Sequence, residues 1–171
     1  MSFDRLKTRL GGAIALLAVA GFLASCQVRP LYSDNAGVAE ALGAIAFSEA
    51  HHRVEQEVRN HLIFLTSGGK GEPATPEYDV ELHVGTGVSP VLLVDSSDTA
   101  RAGQVTVTGD YILRRHSDGQ ILKAGNRSSL ALVDFPVQEF AKLRAIRDAE
   151  NRAARELAEL VRADIAAVLA R

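Results

Sequence analysis

Apolar and polar positions change period several times along this chain, and each change marks an element. From Gly11 to Phe22 there is no charge and no polar face, but the run is short for a bilayer span, which needs about 20 residues. Gly43 to Ser48 (Gly-Ala-Ile-Ala-Phe-Ser) reads as a short first strand. From His51 to Thr66, Val54, Val58, Leu62 and Leu65 recur at three- and four-residue intervals, the spacing of one helical face. Glu49 suits the positive end of that helix, and Ser67-Gly68-Gly69 supplies its stop. Tyr78 to Val84 alternates: Tyr78, Val80, Leu82 and Val84 point one way, Asp79, Glu81 and His83 the other, as in a strand with one buried face. Phe135-Pro136 ends the sheet, and Val137 to Arg171 contains neither Gly nor Pro. There Phe140, Leu143, Ile146, Ala149 or Glu150, Ala153, Leu157, Leu160, Val161, Ile165 and Val168 form one stripe, which predicts a long helix buried along it.

Two further strand-like runs flank Asp118-Gly119, a strong hairpin signal. A two-residue loop sets Ser117 opposite Gln120. Val105 then meets Leu132, Val107 meets Leu130, Tyr111 meets Asn126 and Leu113 meets Ala124 on a mostly apolar face. The other face pairs Thr106 with Ala131, Thr108 with Ser129, Asp110 with Arg127 and Arg114 with Lys123. A slip by one residue would mix the two faces. Ser89 to Gly103, including Asp95-Ser96-Ser97-Asp98, reads as a long connection whose apolar first part, Val91 to Val94, is able to extend a strand. Residues 26–42 mix Pro, Gly and turn formers and read as an extended tether. The expected fold of residues 43–171 is α+β. It is a two-layer sandwich with a mostly antiparallel four-stranded sheet and two helices packed on one face, in the order β-α-β-β-β-α.

Composition narrows the classes. The formal net charge is −2, and residues 1–25 hold three basic and one acidic side chain, so the remainder is more acidic still. That argues against a nucleic-acid partner. The single cysteine, Cys26, leaves nothing for a disulfide or zinc–thiolate framework. It stands directly after the apolar run, which Arg5, Lys7 and Arg9 precede and the small residues Ala24 and Ser25 close. Leu23-Ala24-Ser25-Cys26 resembles a bacterial lipoprotein signal with its lipobox. The resemblance implies removal of residues 1–25 and acylation of Cys26 at the thiol and the new amine. Two or more acyl chains, at about 0.8 kcal/mol per buried methylene, anchor stably. A plain secretory signal, an uncleaved anchor and a free buried thiol are the alternatives.

The ordered set of stretches resembles the lipopolysaccharide-assembly lipoproteins of the LptE family. The residues that carry the likeness are Arg29-Pro30-Leu31-Tyr32 soon after Cys26, the helix from Arg53 to Leu62, the alternating strand Tyr78 to Val84, the strand Thr108 to Leu113, the Asp-Gly turn and the closing helix Phe140 to Leu157. Many members carry Gly and an aromatic after the cysteine, where this chain has Gln27 and Val28. The resemblance implies a non-enzymatic outer-membrane lipoprotein on the periplasmic face. Such a protein plugs a large LptD-like β-barrel and helps it insert lipopolysaccharide into the outer leaflet. The alternative is a small-ligand-binding auxiliary lipoprotein of a periplasmic transport system.

Few residues suggest further chemistry. Arg114 and Lys123, opposite each other in the inferred register, would repel unless an anion bridged them. With Arg127, Arg115 and Arg101 they form a candidate basic patch for lipopolysaccharide phosphates or acidic barrel residues; two solvated side chains at a hairpin end are the competing reading. His51-His52 with Glu49 and Glu55 lacks a third ligand nearby and reads as a solvated helix start, so no metal site is expected. Gly85-Thr86-Gly87 lacks the Lys and remaining glycines of a phosphate loop. Ser96, Ser97 and Asp98 do not make a hydrolase signature. No cofactor is expected.

Overall fold

The computed structural model describes residues 36–94 and 99–170. The leader, Cys26, the first part of the tether and Asp95-Ser96-Ser97-Asp98 lie outside these residues. The elements are α1 (Ala36–Gly43), β1 (Ile45–Phe47), α2 (Arg53–Ser67), β2 (Tyr78–Val94), β3 (Thr99–Arg115), β4 (Ile121–Asp134) and α3 (Glu139–Leu169). The four strands lie in sequence order. β1 is parallel to β2, and the other two pairs are antiparallel. The sheet is therefore mixed rather than mostly antiparallel. The connection through α2 is long enough for the crossover that a parallel pair requires. Among the described residues there are also three helices, not two. α1 lies within the stretch read as extended tether. Its two turns are too short for a clear period, yet they bury Val38 and Leu42, four residues apart.

α2 forms where its spacing predicts, burying Val54, Val58 and Leu62, and it ends at Gly68 in the left-handed region (φ 62°). It packs on β1 and β2; α3 packs beside it on β3 and β4. The core between the layers is filled by Val80, Leu82, Val105, Val107, Tyr111 and Leu113 from the sheet and by Ala153, Leu157, Val161 and Ile165 from α3. The stripe on α3 is buried only from Ala149 onward. Phe140 is 85% exposed and Leu143 47%, because the first turns of α3 overhang the other helix.

The stretch from Ser89 to Gly103 is not a long loop. β2 continues to Val94 and β3 starts at Thr99, with Gly85 to Pro90 paired to Thr108 through Gly103 and a bulge between Pro90 and Leu92. Cross-strand pairing supplies the order that local propensity does not signal.

The β3–β4 register also differs by one residue. Val105 pairs with Ala131, Val107 with Ser129, Tyr111 with Gly125 and Leu113 with Lys123. The loop is four residues, closed by the Arg115 N–H on the Gln120 carbonyl (2.9 Å), with Gly119 at φ 69°. Leu122 is then bulged between Arg114↔Ile121 and Leu113↔Lys123. Ser129, Ala131 and Val133 consequently face the helices, and Leu130 and Leu132 are turned to the open face, 53% and 64% exposed.

Candidate functional site

β1 ends at Phe47, and side chains close the outer edge of β2 beyond it. The Ser48 N–H donates to the Val80 carbonyl (2.9 Å), and the Ser48 hydroxyl accepts from the Leu82 N–H (3.0 Å). Glu55, buried, accepts the Val84 N–H at 3.3 Å and the His51 N–H at 2.7 Å. His52 is the N-cap of α2. Its Nδ1 accepts the Glu55 N–H (3.4 Å), so its Nε2 carries the proton and donates to the Val84 carbonyl (2.7 Å). The His-His stretch is thus a cap and an edge clamp rather than a solvated start. Its signal in the sequence is Glu55 three residues after His52, the spacing of a capping box.

A second polar group pins α3 to the hairpin. Tyr111 donates to Asp164 Oδ2 at 2.6 Å, and Arg127 donates to both Asp164 oxygens at 2.7 Å. Ser129 donates to Glu156 (3.1 Å), and Arg152 donates to the Leu132 carbonyl (2.9 Å). The bidentate Arg127 contact holds the Asp164 carboxyl below the usual carboxylate range. Burial, then the bond to Asp164, pushes the Tyr111 hydroxyl far up, so it remains a donor.

The five basic residues do not form one patch. The actual register puts Arg114 opposite Ile121 on the open face, 3.5 Å from Glu81, whereas Lys123 faces the helix side opposite Leu113. Arg115 is bound at the turn by Asp118 (2.9 Å) and Gln120 (2.8 Å). Only Lys123 and Arg127 come together, beside Asp164. Arg101 lies at the opposite end of β3, exposed. The Arg114–Lys123 repulsion inferred above does not arise.

Exposed apolar side chains gather at that end instead. Val88, Val91, Leu130, Leu132, Val137, Phe140 and Leu143 are all exposed there, on β2, β4 and the start of α3. Clefts on the described surface lie at the hairpin turn, beside α1 and over β1. The deep apolar pocket that would favour a ligand-binding lipoprotein is filled by Leu157, Val161, Ile165 and Tyr111.

Among curated proteins, none matches this chain in sequence. Solved structures share its fold. A protein from Caulobacter crescentus described as a lipoprotein superposes with a TM-score of 0.66 at 24% identity, over 79% of this chain and 96% of its own. A minor lipoprotein from Acinetobacter baumannii gives 0.52 at 7% identity, over 72% and 88%. The rare lipoprotein B of Shewanella oneidensis gives 0.52 at 12% identity, over 72% and 92%. A family profile described as "LptE: Lipopolysaccharide-assembly" matches residues 42–165, nearly the whole of the folded unit. The chain belongs to the LptE family of lipopolysaccharide-assembly proteins.

Proposed function

We propose that this protein is an outer-membrane lipoprotein that assembles with and plugs a large LptD-like β-barrel, and that the pair inserts lipopolysaccharide into the outer leaflet. Family membership over residues 42–165 carries this reading. Residues 1–25 are a cleaved leader, and Cys26 is the acylated residue that holds the domain at the periplasmic face. The protein acts as a support rather than an enzyme. A filled core and a concentration of exposed apolar residues at one end suit a part that is completed by a partner.

Arg101, Arg114, Arg115, Lys123 and Arg127 are proposed contacts for lipopolysaccharide phosphates or barrel carboxylates. They act at separate points, with Lys123 and Arg127 both beside Asp164. Charge reversal of Arg114 and Lys123 together should weaken capture of lipopolysaccharide in a pull-down; unchanged capture refutes the contact.

Affinity purification of the full chain from its own membranes in mild detergent tests the assembly role. A large outer-membrane barrel should travel with it in stoichiometric amount, and the mature chain should begin at an acylated Cys26 by mass spectrometry. Purification without a barrel contradicts the plug, and an unmodified thiol contradicts the anchor.

A further inference from the structure

The helical layer of this sandwich is shorter than its sheet. α2 starts level with Val84, where His52 and Glu55 clamp β2. β2 and β3 continue well past that point. Val80, Leu82 and Val84 are buried under the helices, and alternation puts Thr86 and Val88 on the same side, where both are exposed. Their neighbours on β3, Val107 and Val105, are fully buried. The floor of the layer thus continues one strand to the side of α3 with nothing above it among the described residues.

α3 supplies a wall to this space. Its contacts with α2 run through Glu150 and Asn151, both bonded to Arg53, and through Arg155, 3.7 Å from Glu57. Stepping back along the helix by three and four residues from that row gives Arg147, Leu143 and Phe140. The row that faces α2 therefore continues for about two turns beyond the end of α2. It carries two exposed apolar side chains and then a cation. Arg144 lies on the same flank. Among the described residues no carboxylate pairs with Arg144 or Arg147, and Glu150 on this row is taken by Arg53.

We propose that this slot, in line with α2 and bounded by Val88, Phe140, Leu143 and Arg147, receives a short amphipathic helix from a partner protein. Its apolar side would meet Val88, Phe140 and Leu143, and an Asp or Glu would meet Arg147 or Arg144. Shape and charge both select this occupant. The vacant position continues a helical layer whose members pack about 8–10 Å apart. Gly85 to Pro90 spans about 20 Å, which about 13 helical residues match. Arginines with no carboxylate partner among the described residues, beside an apolar wall, call for an acidic amphipathic partner. The proposal rests on the assembly role only for which protein supplies the helix, namely the barrel partner.

Photocrosslinking in native membranes tests it. Full-length chains carry p-benzoylphenylalanine at Leu143 or Val88, with Phe64, exposed near the far end of α2, as the control. The Leu143 and Val88 probes should capture one peptide of the barrel protein, helical in pattern and bearing an acidic residue, at least fivefold above Phe64. Arg147→Glu should lower capture at Leu143 at least fivefold. Capture of lipid, lipopolysaccharide or a second copy, or none above the control, overturns the slot. If the barrel still co-purifies in that case, the plug stands without it. If no barrel co-purifies but both probes capture such a segment from another protein, the slot stands and the plug falls.

Discussion

Replacing Gly125 by Ala should destabilise the fold far more than the same change at Gly85. Both glycines lie in strands of one sheet. A Cβ at Gly125 would come within 2.5 Å of the Tyr111 hydroxyl oxygen and 2.7 Å of the ring carbon that bears it, whereas one at Gly85 meets open space. Tyr111 is 1% exposed, and its hydroxyl lies 2.6 Å from Asp164, so the ring has no empty space to enter without giving up that bond. Losing a hydrogen bond to a charged group costs about 1.5–3 kcal/mol, and forcing a side chain aside in a packed core about 1–3 kcal/mol. The sum, about 2.5–6 kcal/mol, is a large fraction of a typical total of about 5–15 kcal/mol. It should lower the melting temperature by roughly 10–20 °C for a domain of this size. Gly85→Ala should leave it unchanged or raise it slightly, since Gly costs about 0.5–1 kcal/mol in a strand. Thermal unfolding of the detergent-purified chain by circular dichroism measures both. Because the closest atom is the hydroxyl, Tyr111→Phe should reduce the cost of Gly125→Ala by at least about 1 kcal/mol in a double-mutant cycle. Equal costs at the two glycines, or strict additivity in the cycle, would refute the close contact.

Other perturbations probe the remaining features. Asp164 has a lowered folded-state pKa, so its contribution is present above its ordinary value of 3.8 and is lost as pH falls through the folded value; the gap in melting temperature between wild type and Asp164→Asn should therefore be widest near neutrality and close in strong acid. Glu55→Ala removes the acceptor for the Val84 and His51 N–H groups and should cost about 2–4 kcal/mol, with amide exchange at Val84 accelerated well beyond that at Leu82; unchanged protection at Val84 counts against the edge clamp. Leu132→Ser, on the open face, should move the melting point by no more than about 2 °C, since surface changes rarely exceed about 0.5 kcal/mol. If it unfolds the domain, the register described here is wrong.

The parts of the fold that were legible depend on local period. α2 and its stop at Gly68 follow from four apolar residues and a left-handed glycine, and the start of β2 follows from seven alternating residues. The β3–β4 register eludes a local reading because Leu130 and Leu132 look like core. Ser129 and Ala131 take their place, and Ser129 and nearby Arg127 are held by Glu156 and Asp164, 27 and 37 positions away. No turn rule signals such partners. The stripe on α3 marks a face but not how far α2 reaches along it, so nothing in the stripe separates the exposed Phe140 and Leu143 from its buried members. α1 is too short to show its period, and parallel pairing of a three-residue strand leaves no local trace. Of the candidate residues, Cys26 rests on a signal that is read linearly and lies outside the described residues. The basic residues required the register, and one misplaced residue separated Arg114 from Lys123.

The central claim is a role in delivering lipopolysaccharide to the outer leaflet. Its most direct test is to deplete the protein in its native cells and follow pulse-labelled lipopolysaccharide to the cell surface. The account predicts that newly made molecules stop arriving and accumulate in the envelope, and that the wild-type chain restores delivery. Arrival at the normal rate after depletion would contradict it.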